Sequence, residues 1–240
     1  MENLNPKTIG EFVAEDFRTA AVFKKYKIDF CCRGGRPLQE VCEQKNLNYE
    51  QILEDLDKAK QKNAEGIDFK SFPLDLLADY IEKTHHRYVE DRVPVLLQFL
   101  NKLCRVHGER HPELLEIDQE FKTISEELAA HFIKEEQVLF PFIRQMVSVE
   151  RSGEEMPQAH FGTVENPIEM MKQDHENAGE IMAKIANLTS QYTPPADACN
   201  TYKVTFAMLQ EFEDDLHKHI HLENNILFPA AIKLEKKLNS

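Results

Sequence analysis

The sequence predicts an all-α protein: a small helical domain over residues 1–65, followed by an up-and-down four-helix bundle over residues 74–238. Three observations carry this. Apolar residues recur at spacings of three and four through long stretches, the signature of amphipathic helices, while alternating β-branched runs are almost absent. Four long periodic stretches are separated by short breaks at Gly108, at Ser152 to Gly162, and at Pro194-Pro195. Two of those stretches carry the same motif, so the bundle reads as a duplicated helical hairpin.

In the leading part, short helices are expected over Thr8 to Glu15, Asp16 to Lys25, Leu38 to Lys45 and Tyr49 to Lys62. Between the second and third lies a Gly- and Pro-containing loop, Asp29-Phe-Cys-Cys-Arg-Gly-Gly-Arg-Pro37. A polar stretch from Asn63 to Pro73 reads as a linker. The four bundle helices are expected over Leu74 to Leu103, Pro112 to Val149, Val164 to Ser190 and Ala196 to Leu238.

The motif runs His131-Phe-Ile-Lys-Glu135-Glu-Gln-Val-Leu-Phe-Pro141 in one hairpin and His219-Ile-His-Leu-Glu223-Asn-Asn-Ile-Leu-Phe-Pro229 in the other. Its shared form is H-x3-E-x2-(V/I)-L-F-P. Each copy has a partner histidine on the preceding helix, His85 for the first and His175 for the second. The partners stand at nearly equal separations with the turn signals midway, which brings each pair back to one height in the bundle.

Helical periodicity places all four on core faces. The first helix reads Leu77, Ile81, His85, Tyr88, and the second Ile124, Leu128, His131, Glu135, Leu139, Phe142. The third reads Ile168, Met171, His175, Ala178, Met182, and the fourth Leu209, Phe212, Leu216, His219, Glu223, Ile226, Ala230. Two buried carboxylates without compensation cost several kcal/mol each. No Lys or Arg stands on these stripes at that level, so a cation must come from outside. Four imidazoles and two carboxylates suit a pair of first-row transition metals. Each ion takes two His nitrogens, the two Glu bridge, and with an oxo or hydroxo bridge each keeps an open position for a small ligand. Zinc favours thiolate or a compact tetrahedron, and calcium and magnesium favour oxygen shells. Mixed His and carboxylate ligation in a helix bundle points to iron, with manganese as the alternative.

The other histidines are read differently. His86 follows the polar line Asp79, Glu82, Lys83, Glu90, which makes His85 the better ligand. Glu82 and His85 form an E-x-x-H pair, but no second copy accompanies it. His217 and His221 flank the stripe as solvated or supporting groups, and His107, His111 and His160 fall near connections. Glu127 and Asp174 are candidates for orienting ligands or relaying protons, or simply surface groups.

Composition sets outer limits. Against 29 Lys and Arg stand 42 Asp and Glu, a net charge of −13, which argues against a nucleic-acid partner. No run approaches the ~18 apolar residues of a membrane span, and the acidic N-terminal stretch lacks a secretory core. Five cysteines, an odd number with two adjacent, do not make a secreted disulfide framework. The chain is expected to be cytoplasmic.

The bundle resembles a hemerythrin-like domain. The whole chain is similar to the iron–sulfur cluster repair di-iron proteins, the family called repair of iron centres. The duplicated H-x3-E…LFP pattern with its partner histidines carries the resemblance, together with Tyr26-Lys-Ile-Asp-Phe-Cys31-Cys32-Arg-Gly-Gly in the leading domain. Oxygen-carrying hemerythrins use five His with Glu and Asp at asymmetric spacings, and the symmetric set here departs from that pattern. The resemblance implies two non-haem iron ions on His85, His131, Glu135, His175, His219 and Glu223. It also implies a role in protecting or restoring iron–sulfur proteins after nitric oxide or peroxide exposure, with damaged iron–sulfur proteins as partners. Iron donation and nitric oxide handling, including its reduction, are both compatible with such a centre, and a hemerythrin-like O2 or NO sensor or carrier is the alternative. A homodimer through the leading domain is compatible with the sequence. Cys31 and Cys32 admit three readings: a strained vicinal disulfide, a structural loop pair, or the redox or iron-transfer thiols that the family implies. Arg33 and Arg36 are expected to lower a thiolate's pKa, and Gly34-Gly35 to let another group approach. Cys42, Cys104 and Cys199 read as small packing residues.

Overall fold

The computed structural model describes residues 7–61, 67–156 and 159–239. Among these the chain is helical, with only two isolated β-bridges. The expected linker from Asn63 to Gly66 lies outside the described residues, and its continuation holds a 3-10 turn, Phe69–Ser71.

The leading helices are α1 (Ile9–Glu15), α2 (Ala20–Lys25), α3 (Leu38–Gln44) and α4 (Tyr49–Gln61). Thr8 starts α1 with a reciprocal cap. Its hydroxyl accepts from the Glu11 amide at 3.2 Å, and the Glu11 carboxylate accepts from the Thr8 amide at 2.7 Å. The stretch expected to continue as one helix from Asp16 begins instead as a 3-10 turn, Phe17–Thr19, because the Asp16 side chain caps it through the Arg18 amide. The Cys-Cys loop is strapped to α1: the Ile9 amide donates to Arg36 O at 3.0 Å and the Gly10 amide to Gly34 O at 2.7 Å.

Four long helices form the bundle. The first comprises α5 (Leu74–Ile81) and α6 (Arg87–His107), and the second α7 (Glu113–Lys134) and α8 (Phe140–Ser152). The third is the uninterrupted α9 (Glu165–Leu188), and the fourth comprises α10 (Asn200–Leu222) and α11 (Phe228–Leu238). The first helix packs beside the second and fourth, the second beside the third, and the third beside the fourth. The bundle is therefore up-and-down, as expected from its short connections.

Three of these helices are interrupted by a single π turn, at Glu82–His86, Glu135–Leu139 and Glu223–Leu227. A π turn carries one extra residue and so rotates everything after it by about 100° relative to an ideal helix. The apolar stripes move accordingly. Beyond the second turn the residues buried most completely are Phe140, Ile143 and Met146, while beyond the third Ala231 replaces the expected Ala230. Pro141 and Pro229 stand two residues beyond the ends of two of the turns. A proline ring clashes with the carbonyl four residues back, and a widened turn relieves that clash.

The apolar interior is divided into two clusters by the level at which the π turns occur. One holds Leu96, Leu100, Phe121, Leu209 and Phe212 of the bundle together with Ile9, Phe23, Leu38 and Ile52 of the leading helices. The other holds Leu77, Ile81, Phe140, Ile143, Ile168 and Phe228. Between them lies a layer of histidine and glutamate.

Candidate metal centre

Six polar side chains occupy that layer, all of them almost without solvent contact: His86, His131, Glu135, His175, His219 and Glu223. They fall into two groups, His86/Glu135/His219/Glu223 and His131/Glu135/His175/Glu223, each with ligand atoms within 4.8 Å of one another. Both carboxylates belong to both groups.

Five of the six residues expected as ligands meet there, and the place expected for His85 in the cluster is occupied by its neighbour on the same helix. His86, and not His85, enters the cluster, with Nε2 3.3 Å from Glu135 Oε2. The π turn is the physical reason. Counting four residues on from Ile81 reaches His85, but the extra residue carries the inward face to His86. His85 is buried behind the layer, its Nδ1 2.9 Å from Asp215 Oδ1 and its ring stacked on that of His219. Glu82 pairs with Arg144, which removes the E-x-x-H alternative from the cluster.

On the other helices His131 Nε2 lies 3.3 Å from Glu135, His175 Nε2 3.0 Å and His219 Nε2 3.1 Å from Glu223, and His131 and His175 Nε2 lie 3.2 Å apart. Three of the imidazoles are steered from behind through Nδ1. Glu136 holds His86 at 2.8 Å, Asp174 holds His131 at 3.1 Å and Asn224 holds His175 at 3.0 Å. This arrangement fixes ring orientation and leaves Nε2 facing the shared space. Asp174 thus contacts the His131 ring on the side away from the layer, and its hydrogen bonds from His131 and Lys134 hold its carboxyl down to about 2. Glu127 remains exposed. Asn224 and Glu136 were not legible as participants, because neighbours of a ligand on a helix point in directions that a π turn resets.

The layer is short of hydrogen bonds. Both oxygens of Glu135 and of Glu223, Nε2 of His86 and both ring nitrogens of His219 are buried without a partner in hydrogen-bonding geometry. Burial opposes ionisation of Glu223, but the His219 and His175 imidazoles outweigh it and hold the carboxylate well below the ordinary range. Burial and the like charge of Glu223 oppose ionisation of Glu135, and His131 and His86 likewise hold it down. Two buried anions with lone pairs converging among imidazole nitrogens make a donor set for cations, and mixed N/O donors suit iron.

The leading domain covers this layer on one side. Asn225 donates to Cys31 O at 3.2 Å and approaches the Cα positions of Gly10 and Gly34 so closely that a Cβ on Gly10 would lie 2.2 Å from its Oδ1. His221, expected to flank the stripe, is buried beneath Phe17 and Phe30, and burial pushes its imidazole down to about 4. His217 packs against the edge of Phe30. Cys31 is buried, and Cys32 half-buried with Sγ 3.5 Å from His175 O. Their sulfurs lie 3.7 Å apart as free thiols, so no vicinal disulfide joins them. The expected lowering by Arg33 and Arg36 does not operate at Cys31: the Cys32 sulfur, burial and Asp29 push its thiol well up. The remaining histidines lie elsewhere, with His107 3.3 Å from Cys199 Sγ and His111 between Glu113 and Asp197.

A bundle whose donors stand on four helices at one level defines a hemerythrin-type cation-binding protein, and residues 77–231 match the hemerythrin HHE cation-binding domain. Residues 5–60 match a domain of unknown function, DUF542. The iron–sulfur cluster repair protein YtfE of Escherichia coli strain UMN026 is 34% identical over 224 residues, spanning 93% of this chain and 96% of the relative. The protein of the same name from Shigella boydii serotype 4 gives 34% over the same lengths. The chain belongs to the family of these iron–sulfur cluster repair proteins.

Proposed function

We propose that this protein repairs or protects iron–sulfur clusters damaged by nitrosative or oxidative stress, acting as a non-haem di-iron protein. His86 and His219 would hold one ion and His131 and His175 the other, with Glu135 and Glu223 shared between them and an oxo or hydroxo group completing the bridge. The observation that supports this most directly is the pair of buried carboxylates common to both imidazole groups, which a single ion would leave half used. Such a pair of ions would supply redox chemistry, an open position for nitric oxide or O2, and iron that can be given up.

This chain's own residues do the rest. Asp174, Glu136 and Asn224 keep three imidazoles in the tautomer that presents Nε2 inward. Phe132 and Phe140 stack along the faces of His86 and shield that side from water. Cys32, whose sulfur lies against the His175 carbonyl, and its neighbour Cys31 belong to the same reading as redox or iron-transfer thiols. Their placement beside the centre favours repair of cytoplasmic iron–sulfur proteins over a simple carrier of O2 or NO, which has no use for a thiol loop there.

The test is reactivation of a nitric-oxide-damaged iron–sulfur enzyme by the anaerobically iron-loaded protein. Recovery should be faster with wild type than with Glu223→Ala, and iron content should fall in the variant. Equal recovery with and without the loaded protein would replace repair by the sensor or carrier reading.

A further inference from the structure

We propose that Asp29, Cys31 and Cys32 form a second cation site, taking one thiophilic divalent first-row ion as cargo outside the histidine–glutamate layer. One carboxylate oxygen and two sulfurs, all within 4.8 Å of one another, are brought together by the loop between α2 and α3. The loop is set by Asp29 itself, whose Oδ1 accepts the amides of Cys31 and Cys32, both at 3.0 Å, and the Cys31 thiol at 3.3 Å.

The spacing fits an ion. Two thiolates on one tetrahedral ion with metal–sulfur bonds of about 2.3 Å stand about 3.8 Å apart, and the two sulfurs here are separated by 3.7 Å. Adjacent cysteines in extended chain would point their sulfurs to opposite sides, so convergence is a property of this turn. The donor set also differs in kind from the layer: two soft sulfurs with one carboxylate select a thiophilic ion, where four imidazoles and two carboxylates do not. Binding exchanges two thiol protons for one divalent ion, with both protons released to solvent and no change of oxidation state.

Position gives the site its use. Cys32 and Asp29 are half-buried and reachable from outside, whereas the Cys32 sulfur touches the carbonyl of His175 and lies against Gly179, where an added Cβ would stand 3.4 Å away. An ion held there lies between solvent and the helix that carries a candidate ligand of the buried layer. That the cargo is ferrous iron rests on the repair reading above, while the site itself stands on its own geometry.

The experiment is an anaerobic titration of the iron-loaded protein with cobalt(II). One cobalt per chain should bind with a thiolate-to-cobalt charge-transfer absorption, releasing about two protons and displacing no iron. Cys32→Ser should abolish the absorption. Asp29→Asn retains an Oδ1 acceptor for both amides but loses the charge, and should weaken binding by about tenfold or more. Iron content and circular dichroism should be unchanged in both variants. Absence of the absorption from wild type, or its survival in Cys32→Ser at equal affinity, overturns the proposal. A protein that holds two irons without the cobalt band loses this site alone, and one that gives the band but takes up no iron loses the di-iron reading alone.

Discussion

Truncating His86 and His85 separately decides whether the π turn of the first helix sets the ligand. In His86→Ala the group His86/Glu135/His219/Glu223 loses one of its two imidazoles, while the group around His131 and His175 keeps all its donors. Loss of groups that merely orient a ligand costs about 10–100-fold in metal affinity, so loss of a ligand should cost at least about 2 kcal/mol. Iron per chain, measured after anaerobic loading and desalting, should fall from two toward one. In His85→Ala both groups stay complete. What goes is the hydrogen bond to Asp215 and the packing against His219 and Tyr80. The cost is about 2 kcal/mol of stability, read as a drop of about 4–8 °C in the melting midpoint, with both irons retained. If His85→Ala sheds an iron and His86→Ala keeps two, the register argument is refuted and the straight-helix reading is restored.

Other outcomes follow from neighbouring contacts. Gly10→Ala places a Cβ 2.2 Å from Asn225 Oδ1, so the Asn225 side chain must swing away and give up its hydrogen bonds to Phe30 O and Cys31 O, at a cost of about 1–3 kcal/mol seen as faster alkylation of Cys31 and a lower melting midpoint. Asp174→Ala removes the group that steers His131 and should lower iron affinity by about 10–100-fold without unfolding the bundle, measured by competition with a chelator. Burial pulls the His111 imidazole down, but Glu113 and Asp197 outweigh it and raise it above 6.5. Its contribution to stability is therefore complete below that ordinary value and disappears as pH rises through the raised one. The melting midpoint of wild type should exceed that of His111→Gln at about pH 6 and converge with it at about pH 9.

The all-α class and the four-helix arrangement were legible because apolar periodicity and Gly/Pro breaks are local signals. Five of the six residues that meet in the layer were legible for a further reason: the motif occurs twice, and duplication constrains height as well as face. His86 was not, because a regular 3.6-residue period carried across Glu82–His86 assigns the inward face to His85. A sign of such turns was present in Leu-Phe-Pro, since Pro141 and Pro229 each follow one, but the first helix has its π turn without a proline there. Burial of His221 and the state of Cys31 depend on how the leading domain lies over the bundle, a tertiary fact with no periodic trace in the chain.

The two halves of the layer are built from matching donors but live in different neighbourhoods. His86 and His219 are hemmed in by Phe132, and His85 stacks on His219. His175 is flanked by Phe228, tethered by Asn224, and bears on its carbonyl the sulfur of Cys32. Of the four bundle helices, the one bearing His175 is also the one whose described backbone runs straight through the layer. The repeated motif supplies a twofold donor set, and docking of the leading domain on one hairpin breaks the twofold frame. Ions placed in these two positions would be spectroscopically distinguishable and would exchange at different rates, so a loaded sample should show two signals of equal weight and lose them in sequence.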